Sequence, residues 1–330
     1  MAPSELPERN LALDLVRVTE AAALASARWL GKGDKKSGDR AAVDAMRLSF
    51  NAVNVAGKII IGEGEKDEAP MLYNGEEVGT GSPPEVDVAV DPVEGTKLLA
   101  YGRPNAISVA GLAPCGSMYA PGASYYMQKL VVPGPAKDSV ELNAPVRDNL
   151  NRIAKALDKD IEDLVVFVLD KPRHEELINE IRQAGARIQL HTDGDIAGAL
   201  MAVDPDSEVD LLLGTGGTPE GVLSACAIKA LGGEMLCSLD PQKEHERQAL
   251  LDQGVDLEQV LSTNDLVASD DVYFAATGIS GGGFLGGVGY TGSGATTHSL
   301  VTRGKTGTIR RIEAAHSWNR LMRFSAVDYD

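Results

Sequence analysis

Apolar positions recur at helical spacing over residues 10–30, where Leu11, Leu15, Val18, Ala22, Ala25 and Trp29 share one face and Gly31-Lys32-Gly33 stops the run. The same spacing through Ala42, Met46, Phe50 and Val53 predicts a second helix from about 39 to 56, with Gly57 as its C-terminal cap. Short apolar runs then alternate with polar clusters. Ile59-Ile60-Ile61 ends in Gly62-Glu63-Gly64-Glu65, and Val86 to Val90 ends in Asp91-Pro92-Val93-Glu94-Gly95-Thr96. Further strands are expected near 106–112 and 126–132.

The second half changes rhythm. Leu164–Leu169, Arg187–Leu190 and Val209–Leu213 read as strands, each followed by a polar turn and a helix. This β-α-β-α-β-α series predicts a parallel sheet, in which ligands bind at the carboxyl ends of the strands. A helix near 242–262, a strand over 272–277 and a hairpin over 296–315 turning at Gly304–Gly307 complete the pattern. The polar, Pro-rich stretch from Pro133 to Pro145 is the expected boundary between a first unit, 1–145, and a second, 146–330.

The 330 residues suit one large domain or two subdomains, and 43% hydrophobic with 24% charged residues describes a folded globular chain. The net charge of −17 argues against nucleic acid as a partner, since phosphate backbones demand a basic face. Any anionic substrate must then be captured by local Lys/Arg or by metal ions. Cys115, Cys226 and Cys237 have neither disulfide-framework nor zinc spacing, and Cys226 and Cys237 are expected to be buried thiols. With no membrane-length apolar run and no signal-peptide pattern, the expected setting is cytoplasmic, away from membranes.

Carboxylates gather at the predicted strand ends: Glu63, Asp91, Glu94 and, opening a helix, Glu220. Converging carboxylates repel one another unless a cation sits between them, and hard cations such as Mg²⁺ and Mn²⁺ prefer oxygen ligands. Such ions support phosphoryl transfer by activating a water, which the Thr96 hydroxyl is placed to orient. The competing reading of Asp91 and Glu94 is a plain turn. Asp39 stands either as a helix N-cap or as a metal ligand. Glu65 is expected outside the direct ligand set.

Lys171 and Arg173 follow a strand and suit phosphate binding, or are ordinary loop charges. The backbone of Gly214–Gly217, before a helix, is a natural anion site. Asp193 and Asp195 suit sugar hydroxyls or helix capping. Gly281–Gly286 fits G-x-G-x-x-G, but the Gly/Ser/Thr-rich segment behind it is not helical, so no dinucleotide site is expected. His245 is expected to be solvated in a charged helix.

Six ordered motifs resemble class II fructose-1,6-bisphosphatase, of the lithium-sensitive, metal-dependent sugar phosphatases. They are Gly31-x-Gly33-Asp34-Lys35, Ile61–Glu65 with Ala69–Tyr73, Asp91-Pro92-x-Glu94-Gly95-Thr96, Lys171–His174, Asp193-Gly194-Asp195, and Gly216-Gly217-x-Pro219-Glu220-Gly221. The resemblance implies an α/β fold, a layered α/β/α/β/α sandwich with two subdomains. It implies removal of the 1-phosphate of fructose 1,6-bisphosphate in gluconeogenesis, with sedoheptulose 1,7-bisphosphate as a second substrate of some relatives. It implies Mn²⁺ or Mg²⁺ on Asp39, Glu63, Asp91, Glu94 and Glu220. The catalytic group it implies is Thr96 with Asp39 and Glu220. Substrate contacts map to Glu94, Gly95, Thr96, Tyr126, Lys171, Pro172, Arg173, Asp193, Gly194, Asp195 and Gly217, with Lys35 a further candidate near the phosphate. It also implies a homo-oligomer, dimer or tetramer. The alternatives are an inositol or nucleotide phosphatase of the same superfamily, and a non-catalytic sugar-phosphate sensor.

Overall fold

In a computed structural model, residues 10–64, 71–122 and 124–322 are described. Glu65, Ala69 and Pro70 lie outside them. Helices α1 (Ala12–Ser26) and α2 (Lys35–Phe50) come first, then strands β1 (Ala56–Ile61), β2 (Glu77–Val78) and β3 (Glu85–Glu94). Next are α3 (Thr96–Tyr101), β4 (Ile107–Pro114), β5 (Tyr126–Val132), α4 (Val146–Leu157), β6 (Val165–Leu169), α5 (Glu175–Ala184) and β7 (Arg187–His191). The chain continues with α6 (Asp195–Val203), β8 (Leu211–Gly217), α7 (Thr218–Leu231), β9 (Glu234–Leu239) and α8 (Glu244–Asp252). It ends with β10 (Leu261–Ser262), α9 (Thr263–Leu266), β11 (Tyr273–Gly278), β12 (Gly289–Thr291), β13 (Gly294–Arg303), β14 (Thr308–Ser317) and α10 (Trp318–Leu321).

Two sheets form. The first runs β12-β13-β11-β4-β3-β1-β2 with β14 on β13, and only its β1/β3 pair is parallel. The second runs β10-β9-β5-β8-β6-β7. Its β8, β6 and β7 are the expected parallel series, while β5 and β9 join antiparallel and make it mixed. Hydrophobic patterning explains the stacking. Leu15, Val18 and Ala22 of α1 and Met46 and Phe50 of α2 cover one face of the first sheet. The nearly all-apolar α6 and α7 fill the space between the sheets, with Phe167, Ile196, Leu200, Val222 and Phe274 in one core. Leu150 and Ile153 of α4 and Ile178 and Ile181 of α5 cover the far face of the second sheet. The order of layers is therefore α/β/α/β/α, as the resemblance implied.

The sheets do not divide along the chain at one point. β5 lies before residue 145 yet sits between β8 and β9, and β11, β13 and β14 return to the first sheet. The stretch after Pro133 folds back instead of linking: Ala136, Val140 and Leu142 are buried against α4. Several local readings are corrected. α2 starts at Lys35 because Asp34 caps it, its carboxylate accepting from Ser37 N at 3.1 Å, so Asp39 is not the cap. Gly57 lies within β1 against Val88 and Val78, not at a helix end. The helix over 242–262 shortens to α8, ended at Gly254 with φ +75. β9 was not anticipated. Cys226 and Cys237 are buried free thiols pushed up to about 12 by burial, and Cys115 is an exposed free thiol. No helix among the described residues is long and apolar enough to cross a membrane.

Candidate active site

Asp91 and Glu94 stand three apart, a spacing that would put them on opposite faces of a regular strand. The β3/β4 register shifts between Asp91 and Glu94, and this irregularity re-aims the end of the strand. Gly95 follows at φ +86, a left-handed turn that a β-carbon would strain, and it starts α3 with Thr96. Glu220 arrives from the other sheet, in the first turn of α7 directly after β8, where a carboxylate is favoured by the helix dipole. Oxygens of Asp91, Glu94 and Glu220 lie within 4.8 Å of one another. Gly217, the last residue of β8, permits this approach, because a β-carbon there would collide with the Glu220 carboxylate.

The acids press on each other. Burial first, then the charge of Asp39, pushes Glu63 up to about 7. Burial, then Glu63 and Glu220, holds Asp91 well above the usual carboxylate range. Burial, then Asp195 and Asp91, does the same to Glu94. Glu220 is pushed up to about 7 by burial and then by Asp195. Burial also raises Asp39. Of the five predicted metal carboxylates, Asp91, Glu94 and Glu220 crowd together, and the charges of Asp39 and Glu63 act on Asp91. Glu220 Oε2 is buried with no hydrogen-bond partner among the described residues. A buried acceptor left unmatched is costly, and a hard divalent cation answers both this atom and the repulsion of an all-oxygen donor set.

Beside the acids opens a cavity of about 640 Å³. Glu94, Tyr126, Lys171, Arg173, Asp193, Asp195, Gly216, Gly217 and Glu220 line it. Asp39, Glu63, Asp91, Gly95, Thr96, Pro172 and Gly194 are not among its lining residues. Thr96 is half-buried, and its neighbour Lys97 lines the cavity. Arg173 donates from Nε (3.0 Å) and Nη2 (2.7 Å) to the Thr215 carbonyl and lies 5.1 Å from the Tyr126 ring centre. Lys171 Nζ is 3.8 Å from Asp193. His174 is buried: Thr215 N donates to its Nε2 at 2.8 Å, so Nδ1 carries the proton and donates to Leu169 O at 2.7 Å. It ties the ends of β6 and β8 together, and burial lowers its pKa. Gly194 caps α6 without a side-chain bond, so neither Asp193 nor Asp195 serves as the cap. Lys35 lies 5.6 Å from the Tyr101 ring centre.

Some site residues escaped sequence reasoning. Lys97, Tyr125, Lys243, His245 and Glu246 also line the cavity. His245 is exposed, as its charged helix implied, but it faces this opening. Lys129 is buried at the acid cluster, 2.6 Å from Asp195. Its signal was legible: a lysine inside the apolar strand YMQKLVV.

A cleft at strand ends between two stacked sheets, acidic at one end and cationic along its wall, defines a layered α/β enzyme of the sugar-phosphatase type. The chain itself, over residues 9–316, matches the family described as bacterial fructose-1,6-bisphosphatase, glpX-encoded. It is 46% identical over 325 residues to fructose-1,6-bisphosphatase 1 class 2 of Escherichia coli strain K12, covering 94% of this chain and 96% of that protein. Class 2 fructose-1,6-bisphosphatases of Escherichia coli O6:H1 and Shigella flexneri match equally. The chain belongs to this family.

Proposed function

We infer that this chain is a metal-dependent phosphomonoesterase that removes the 1-phosphate of fructose 1,6-bisphosphate, yielding fructose 6-phosphate and phosphate in gluconeogenesis. The observation that carries the reading is the buried carboxylate cluster opening into a cavity walled by Lys171 and Arg173. Asp39, Glu63, Asp91, Glu94 and Glu220 are the residues that would hold Mn²⁺ or Mg²⁺. Such an ion, when bound, neutralises phosphoryl oxygens and acidifies water. The Thr96 hydroxyl orients the attacking water, assisted by the carboxylates of Asp39 and Glu220. Water oxygen bonds to phosphorus as the ester P–O bond breaks. The backbone of Gly95 and Thr96 and the Gly217 turn cradle the reacting phosphate. Lys171-Pro172-Arg173 with Tyr126 hold the far phosphate. Asp193, Gly194 and Asp195 accept sugar hydroxyls. We further propose a cytoplasmic homo-oligomer, dimer or tetramer, built of two subdomains, and sedoheptulose 1,7-bisphosphate as a second substrate.

Phosphate release by the purified chain tests the reading, with Mn²⁺, Mg²⁺ or chelator, on both ketose bisphosphates and inositol 1-phosphate. Metal-dependent release from fructose 1,6-bisphosphate is expected. Release from inositol phosphate alone would overturn the substrate assignment, and silence on all three would leave a sugar-phosphate sensor.

Lys171→Ala is expected to raise KM for the bisphosphate about tenfold or more, the loss of one charge-assisted bond, with a smaller fall in kcat. Unchanged kinetics would remove Lys171 from the site. Gly217→Ala should displace the Glu220 carboxylate and shrink the rise in Tm that Mn²⁺ produces. A Tm rise equal to that of the native chain would show that Glu220 relocates freely.

A further inference from the structure

Lys129 is the fourth residue of β5 and is 1% exposed. Its Nζ lies 2.6 Å from Asp195 Oδ2, and a buried ammonium needs such a partner. Glycines make room for the pair. A β-carbon on Gly216 would strike Asp195 Oδ2 and come within 3.2 Å of Nζ, and one on Gly221 would reach 3.3 Å from Lys129 Cε. Asp195 is itself a neighbour of the acid cluster. Among the charges acting on Glu94 and on Glu220, that of Asp195 is the largest. The next residue, Ile196, donates its backbone N–H to Glu94 Oε1 at 3.2 Å. Yet Asp195 is not one of the three carboxylates that crowd within 4.8 Å, and its Oδ2 is held by Lys129.

We propose that Lys129 is a positioning residue that keeps Asp195 out of the metal-ligand set. Its ammonium stands where a second cation would otherwise satisfy Asp195. The remaining carboxylate oxygen is thereby reserved for a sugar hydroxyl in the cavity that Asp195 lines. Lys129 also fixes the start of α6, and through Ile196 N–H it fixes Glu94. The inference rests on the metal-dependent sugar-phosphatase reading above.

The test counts Mn²⁺ per chain by calorimetry and elemental analysis, beside KM for fructose 1,6-bisphosphate. Lys129→Met and Lys129→Gln are expected to hold one more Mn²⁺ than the native chain. Their KM should rise about tenfold, as an anchored hydrogen-bond acceptor is redirected. The double variant Lys129→Met/Asp195→Asn, which removes both charges, should return to the native metal count while KM stays high. A native metal count in the folded single variants overturns the inference, and so does an extra ion in the double variant. A chain that folds only when both charges are removed makes the pair purely structural and also overturns it. Absence of Mn²⁺ binding by the native chain would instead overturn the functional reading.

Discussion

In chelator at pH 8, Glu220→Gln is expected to melt above the native chain, and in saturating Mn²⁺ below it. The native folded state holds Glu220 up to about 7 against an ordinary value of 4.5. Between those values the folded chain keeps a proton that the unfolded chain has released. More protons are bound in the native state, so the contribution of Glu220 to stability falls as pH rises from about 4.5 to about 7. A shift of that size corresponds to roughly 3 kcal/mol. Glutamine carries no charge and escapes the loss. The advantage of the variant should therefore vanish below about pH 5, where the native carboxyl is protonated. Mn²⁺ reverses the order once its gain exceeds that loss, because the metal stabilises the chain that supplies the carboxylate, by about 4.1 kcal/mol at a thousandfold excess over Kd. His174, His191 and His316, each lowered by burial, titrate the other way on acidification, and comparison with the variant cancels them. Paired melting curves at pH 5 and 8, with chelator and with Mn²⁺, make the measurement. A variant less stable than the native chain at pH 8 in chelator would show that burial and Asp195 do not hold the Glu220 carboxyl above its ordinary value.

Thr96→Ala is expected to lower kcat about a hundredfold or more, the usual loss for a group that orients a reactant in the transition state. Thr96 is half-buried at the first position of α3, and no core cluster includes it. The Tm and the Mn²⁺ isotherm should therefore stay close to native. Serine in place of alanine keeps the hydroxyl and should restore most of the rate. Intact turnover in Thr96→Ala would remove the hydroxyl from the reaction. A joint fall in Tm and metal affinity would make the residue structural.

The local elements were legible because their signals are local. Alternation and 3.6-residue spacing depend on near neighbours, so α1, β3, β6 and the β13/β14 hairpin stood close to where they were expected. The acids were legible too, since an apolar strand ending in Asp-Pro-x-Glu-Gly-Thr is a poor turn by composition alone. Ends were less so. Asp34 takes the cap that Asp39 was offered, and that choice turns on which carboxylate reaches a backbone N–H. β9 and the placement of β5 depend on partners about a hundred residues apart, which no window along the chain contains.

By itself, the sequence determined the α/β class, the strand-end positions of Glu63, Asp91 and Glu94, and those of Lys171 and Arg173, because residue type and periodicity encode these directly, while Asp39 stayed open between cap and ligand. Only the tertiary structure decided that Asp91, Glu94 and Glu220 face one another, since that takes a register shift in one sheet and a helix start from the other. It also decided that Lys129 is buried against Asp195, and that His245 and Lys243 border the same cavity. The reason is distance. Charges act through space over a few ångströms, and which charges become neighbours is settled by the packing of two sheets whose strands interleave along the chain.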